Sequence, residues 1–119
     1  MDYKELIVWQ KAIELVENIY KEVRKFPKYE TYVLPDQIRI AVISVPSNIA
    51  EGSGRNTTKE FIQFLYIALG SICELETEII IANRLGYIKG VNNILNDISE
   101  IRKMLNGLIN SPKRKGDNE

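Results

Sequence analysis

Apolar residues recur along this chain in steps of three and four, in four separate stretches. In the first, Trp9, Ala12, Ile13, Val16, Ile19, Tyr20, Val23 and Phe26 trace one stripe of a helix. Pro27 ends it, because the residue before a proline avoids helical backbone. A short polar-aromatic connector, Lys28 to Leu34, follows. A second helix is predicted from Pro35, a favourable first position, with Asp36 near the positive end of the dipole, to Glu51. Pro46 lies inside it, removes a backbone donor and is expected to kink the helix or open its ladder. The β-branched run 38–45 also admits a strand reading, against which the helical segments on both sides weigh. Gly52-Ser53-Gly54 is the expected stop.

Thr57-Thr58-Lys59-Glu60 has the form of a capping box, in which the threonine caps the amide three residues on and the glutamate reaches back. Behind it the longest helix is predicted over 58–84. Phe61, Leu65, Ala68, Ile72, Leu75, Ile79 and Ala82 keep alternating four- and three-residue steps throughout. That is a heptad seam, suited to a shallow left-handed crossing. Gly86 closes the helix. A fourth, about 91–110, carries Val91, Ile94, Leu95, Ile98, Ile101, Leu105 and Leu108 on one face and ends at Pro112. Long helices joined by short connectors fold back on one another. The pattern therefore predicts one all-α domain, an up-down-up-down four-helix bundle over 1–111, with a polar tail over 112–119.

The composition narrows the chemistry. With 119 residues, 45% hydrophobic and 27% charged, the chain has the balance of one globular domain. Lys plus Arg equals Asp plus Glu at 16 each, so any anion-binding surface must be a local cluster. The chain has no histidine, the commonest general base and metal ligand. Cys73 is the only cysteine, which excludes an internal disulfide and a thiolate metal cluster, and inside an apolar helical run it is expected to be a small buried hydrophobe. The N-terminus has no secretory pattern, and Phe61 to Cys73 is too short to span a bilayer, so the expected location is the cytoplasm.

Val8-Trp9-Gln10-Lys11-Ala12 and Ser44-Val45-Pro46-Ser47-Asn48-Ile49-Ala50-Glu51-Gly52 resemble a known bacterial family. It comprises the four-helix-bundle proteins first noticed as reading frames in intervening sequences of 23S ribosomal RNA genes. Phe26-Pro27, Gln37-Ile38-Arg39, Gly54-Arg55, Gly70-Ser71, Glu74-Leu75-Glu76 and Leu85-Gly86-Tyr87-Ile88 extend the likeness over most of the chain. The resemblance implies structural roles for Trp9, Pro46, Asn48, Glu51 and Gly52, and a bundle that assembles into a ring, typically a homopentamer. It also implies a distant relation to the accessory variability protein of diversity-generating retroelements, a basic pentamer that binds nucleic acid and a reverse transcriptase. The family has no established activity, and nothing in these residues supports a place in the ribosome, although an older label says so. The chain departs from the family where Ile40 follows Arg39 in place of a second basic residue, and its zero net charge differs from the basic relative. Both departures count against nucleic-acid binding.

Several residues invite a chemical reading. Asn48, Glu51 and Arg55 could together hold a phosphate, but satisfying backbone freed by Pro46 and tying the helix end to a neighbour explains them better. Gly52-Ser53-Gly54-Arg55 lacks the lysine and spacing of a P-loop, so turn chemistry is the better account. Glu74, Glu76 and Glu78 lack the Glu-x-x-His pairs of a di-iron bundle, and surface or inter-subunit salt bridges are expected. The aromatics Tyr3, Trp9, Tyr20, Phe26, Phe61, Phe64 and Tyr66 sit inside apolar stripes and are expected in the core. The basic residues available for a nucleic-acid patch are Arg55 and Lys59, with Lys113, Arg114 and Lys115 on the tail and Arg39 if Asp36 or Glu51 leaves it free. The start of helix three and the end of helix four are expected at opposite ends of the bundle, so the tail would reach the first cluster only by folding back or from a neighbouring subunit. Helices two and three carry more apolar surface than one stripe each needs. Ile40, Ile43, Ile62, Tyr66, Leu69 and Cys73 are thus the expected oligomer interface. The expected function is a non-enzymatic, homo-oligomeric scaffold that binds itself, with RNA, DNA or a nucleic-acid enzyme as candidate further partners, and without cofactor, metal, small-molecule substrate or membrane. The alternatives are a small carboxylate-based enzyme and a vestigial product of an intervening sequence.

Overall fold

A computed structural model describes residues 2–30 and 32–111. It contains a short 3-10 turn at Tyr3–Glu5 followed by four helices: α1 (Ile7–Val23), α2 (Val33–Ser53), α3 (Thr58–Arg84) and α4 (Asn92–Ile109). The segment 38–45 is helical, and no strand occurs among the described residues. The expected bounds of α3 match, whereas α2 starts two residues before Pro35 and continues through Ser53. Thr57 has extended backbone and its hydroxyl oxygen accepts from the Glu60 amide at 3.2 Å, the N-cap expected from the sequence. At the far end of α3, Gly86 takes a φ of +80°, and the Tyr87 amide donates to the Ala82 carbonyl at 2.9 Å. Glycine adopts that left-handed backbone without a Cβ penalty, so it can stop the helix there.

The heptad seam of α3 is the axis of the core. Leu65, Ala68, Ile72, Leu75, Ile79 and Ala82 are all fully buried. They face Ile38, Val42, Val45 and Ile49 of α2, Ala12, Leu15 and Ile19 of α1, and Ile98, Ile101 and Leu105 of α4 in a single apolar cluster. Val8 and Leu15, outside the stripe read for helix one, belong to this cluster too. Burying an aliphatic side chain of this size contributes roughly 1.5–3 kcal/mol, so the seam outweighs any single surface interaction.

Named contacts give the directions of the helices. Ser44 meets Ser71, and Gly52 lies against Phe61 and Phe64, so α2 and α3 run antiparallel. Lys11 pairs with Glu100 at 2.6 Å, while Glu5–Val8 lie beside Met104–Leu108, so α1 and α4 are antiparallel as well. Tyr3 lines a shallow hollow with Ala50. The start of α1, the end of α2, the start of α3 and the end of α4 therefore share one end of the molecule. This corrects the expectation that the start of helix three and the end of helix four lie apart: an antiparallel neighbour must bring them together. Ser111 lies at this end, and Lys113, Arg114 and Lys115 lie outside the described residues.

Candidate functional site

The Ser44–Gly52 segment packs the end of α2 onto α3. A Cβ at Gly52 would stand 2.6 Å from the Phe64 Cβ, closer than such atoms approach, and 3.2 Å from the Phe61 ring, a tight contact. Glycine is therefore a packing requirement here, and α2 continues one residue past it. Pro46 leaves the Val42 carbonyl without its usual helical donor, yet the helix continues and the proline ring is buried. Asn48 does not serve that carbonyl. Its amide donates to the Ser44 carbonyl at 2.8 Å and lies 2.9 Å from the Ser44 hydroxyl oxygen, which in turn meets the Ser71 hydroxyl at 2.8 Å. The Ser44–Ser71 contact ties α2 to α3, while Asn48 bonds only to Ser44 of its own helix and, contrary to the expectation from the sequence, does not satisfy the backbone freed by Pro46.

Glu51 points elsewhere. It accepts from Arg55 at 2.8 Å on the surface, and the Arg55 guanidinium also lies 4.7 Å from the Phe64 ring centre. Asn48, Glu51 and Arg55 thus do not converge on a common ligand. Arg39 is bonded to Asp36 at 2.6 Å. Both described arginines of the expected basic patch, Arg39 and Arg55, are held by carboxylates, and Lys59 alone of its described members has no ion pair among the described residues.

The three carboxylates of α3 separate into three environments. Glu74 is exposed, Glu76 accepts from Arg102 of α4 at 2.5 Å, and Glu78 is only 6% exposed with its Oε1 unpartnered. Burial first, and then the Glu74 carboxylate one turn earlier, push the Glu78 carboxyl up to about 7. The expected surface salt bridge is correct for Glu76, made within the chain, and wrong for Glu78. No group of three acidic or cysteine side chains suited to a metal occurs among the described residues.

The apolar surplus lies on two faces. On α2, Ile40 is 69% and Ile43 43% exposed, and the stripe continues through Ser47 and Ala50 at three- and four-residue steps. Ile43, Pro46 and Ala50 share a hollow of about 300 Å³ with Trp9, Ile13 and Val16, so this stripe borders α1. On α3, Ile62, Tyr66, Leu69, Cys73, Glu76 and Ile80 form a second stripe with the same steps. Glu76 reaches α4, whereas Ser71 on the opposite flank reaches α2, so this stripe borders α4. Tyr66 is 57% exposed and Cys73 is exposed, which corrects the expectation of a core tyrosine and a buried thiol. Ile62 and Leu69 are half-buried against the core. Periodicity registers that a residue is apolar but not which of two stripes it belongs to, and both corrections have that cause.

A family model described as 23S rRNA-intervening sequence protein matches residues 4–107. A crystal structure of a protein of unknown function from the S23 ribosomal protein family of Bacteroides thetaiotaomicron VPI-5482 is similar, with 28% sequence identity and a TM-score of 0.82. The match covers 88% of this chain and 100% of that one. No curated protein matches the chain.

Proposed function

We propose that this chain, which belongs to the 23S rRNA-intervening sequence protein family, is a non-enzymatic cytoplasmic assembly module that associates with copies of itself. The observation that carries this reading is the pair of apolar stripes on different flanks of the bundle. Bulky residues such as Ile40 and Tyr66 are more than half exposed in line with further apolar neighbours, not scattered singly. The two stripes are not alike: one is an α2 ridge beside an α1 hollow, the other an aromatic-centred ridge on α3. If the α3 ridge of one copy packs on the α1–α2 face of the next, the contact is head-to-tail. Such contacts either close into a ring or run on as a filament. The zero net charge leaves little self-repulsion to oppose a ring, and the family resemblance suggests five copies.

Light scattering on Ile40→Glu, Tyr66→Glu and their mixture tests this reading. Each variant alone should be a monomer near 13.7 kDa, because each loses one side of every contact. Mixed, they should form a dimer and nothing larger, since one intact face of each remains. A wild-type monomer at tens of micromolar ends the proposal. Loss of assembly in one variant only would replace head-to-tail association with a symmetric contact through that single stripe.

A further inference from the structure

The opposite end of the bundle, where α1 and α3 finish and α2 and α4 begin, has a different character. Phe26 and Tyr29 pack on Tyr87 with ring centres 5.4 and 6.3 Å apart, joining the α1–α2 connector to the α3–α4 connector. Tyr29 is 82% and Tyr32 75% exposed, so their ring faces meet solvent. The carboxylates at this end are already engaged: Glu22 by Lys25 at 3.1 Å, Glu30 by the Tyr87 hydroxyl at 3.4 Å and Asp36 by Arg39. Lys21, Arg24, Arg84 and Lys89 have no carboxylate partner among the described residues. A hollow of about 370 Å³ joins the two connectors, with the Glu22–Lys25 pair on one wall and Tyr87 and Lys89 on the other.

Helix dipoles account for part of this. Lys21 and Arg84 occupy the last turns of α1 and α3, where cations are favourable. They do not account for Lys89, which lies in a connector, nor for tyrosines left almost wholly in water. Unpaired cations and open aromatic faces at one end of the bundle are the two requirements of a single-strand platform, in which phosphates meet cations and unpaired bases stack on rings. Bases inside a duplex are already stacked and have no free face to offer. An acidic peptide would use the cations but leave the tyrosines without a role.

We propose that this connector end, carrying Arg84, Lys89, Tyr29 and Tyr32, is a contact surface for single-stranded nucleic acid. The surface needs only one copy of the chain, so it stands independently of self-association. It lies at the end of the bundle away from Arg55 and Lys59. A neutral chain presents it because its charges are segregated by the fold.

The test is fluorescence anisotropy at low salt with the full chain and a labelled oligo(U) of about 12 nucleotides, within the range one such surface covers. A duplex of equal length and an oligo-glutamate peptide are the comparison probes. Oligo(U) should bind more tightly than the duplex. Tyr29→Ala/Tyr32→Ala should weaken it by about 5-fold or more, while Tyr29→Phe/Tyr32→Phe keeps the affinity. Arg84→Ala/Lys89→Ala should flatten the slope of log affinity against log salt by about 0.7 for each phosphate that is no longer neutralised. Arg55→Ala/Lys59→Ala should leave binding unchanged. If Arg84→Ala/Lys89→Ala fails to fold, Lys21→Glu carries the same test. Absence of oligo(U) binding at low salt, or full affinity in the tyrosine-to-alanine variant, overturns the proposal. Oligo-glutamate bound as tightly as oligo(U) also overturns it, in favour of an acidic protein partner.

Discussion

Glu78→Gln should make this protein more stable at alkaline pH and leave it nearly unchanged in acid. The wild-type carboxyl is buried on α3 and lacks a partner for Oε1, with the Glu74 charge one turn away. Both effects disfavour the ionised form and raise the carboxyl from 4.5 to about 7. Between those values the folded chain binds a proton that the unfolded chain has released, so stability falls as pH rises. The favourable contribution is complete below pH 4.5, declines through that window, and is gone above about 7. At 1.36 kcal/mol per unit the shift corresponds to about 3 kcal/mol, of which water penetration should leave about 2. Glutamine keeps the shape but has no charge to bury, so its stability does not change through this window on account of residue 78. Urea unfolding of both chains, at one fixed protein concentration because assembly would add to stability, measures the difference. The variant should exceed wild type by about 2 kcal/mol near pH 8 and match it near pH 4. Equal stabilities at both pH values would show instead that Glu78 reaches water or a cation when ionised.

Gly52→Ala places a methyl 2.6 Å from the Phe64 Cβ, an overpacked contact between two helices, and should lower stability by about 1–3 kcal/mol in the same unfolding assay. Pro46→Ala restores a donor for the Val42 carbonyl, and an uncompensated mid-helix proline costs about 3 kcal/mol relative to alanine. The variant should therefore keep its helical circular dichroism while changing its assembly by light scattering, if the proline shapes α2 for the neighbouring copy. An unchanged oligomer with a higher melting temperature would show that the proline is merely tolerated.

The helices are legible along the chain. Period-3.6 patterning, the Thr57 cap and the Gly86 stop are local, so α3 could be bounded from residue types alone, and its seam fills the core as read. The role read for Asn48 and Glu51 was not legible in that way: Asn48 bonds to Ser44 of its own helix and Glu51 to Arg55, and neither serves the carbonyl freed by Pro46. Whatever depends on which helix lies beside which flank comes from packing instead. Cys73 and Tyr66 are apolar-stripe residues by spacing, and only the position of α4 places them outside the core. Glu76 and Glu78 look alike in a run of carboxylates. One finds Arg102 and the other finds no partner, because a two-residue step turns a side chain by more than half a helical circle. The basic-aromatic end was invisible for the same reason. Its residues come from 21–33 and from 84–89, and no window along the chain contains both. Antiparallel packing brings α1 and α3 to a common end, and the charge that sums to zero along the sequence is sorted there in space.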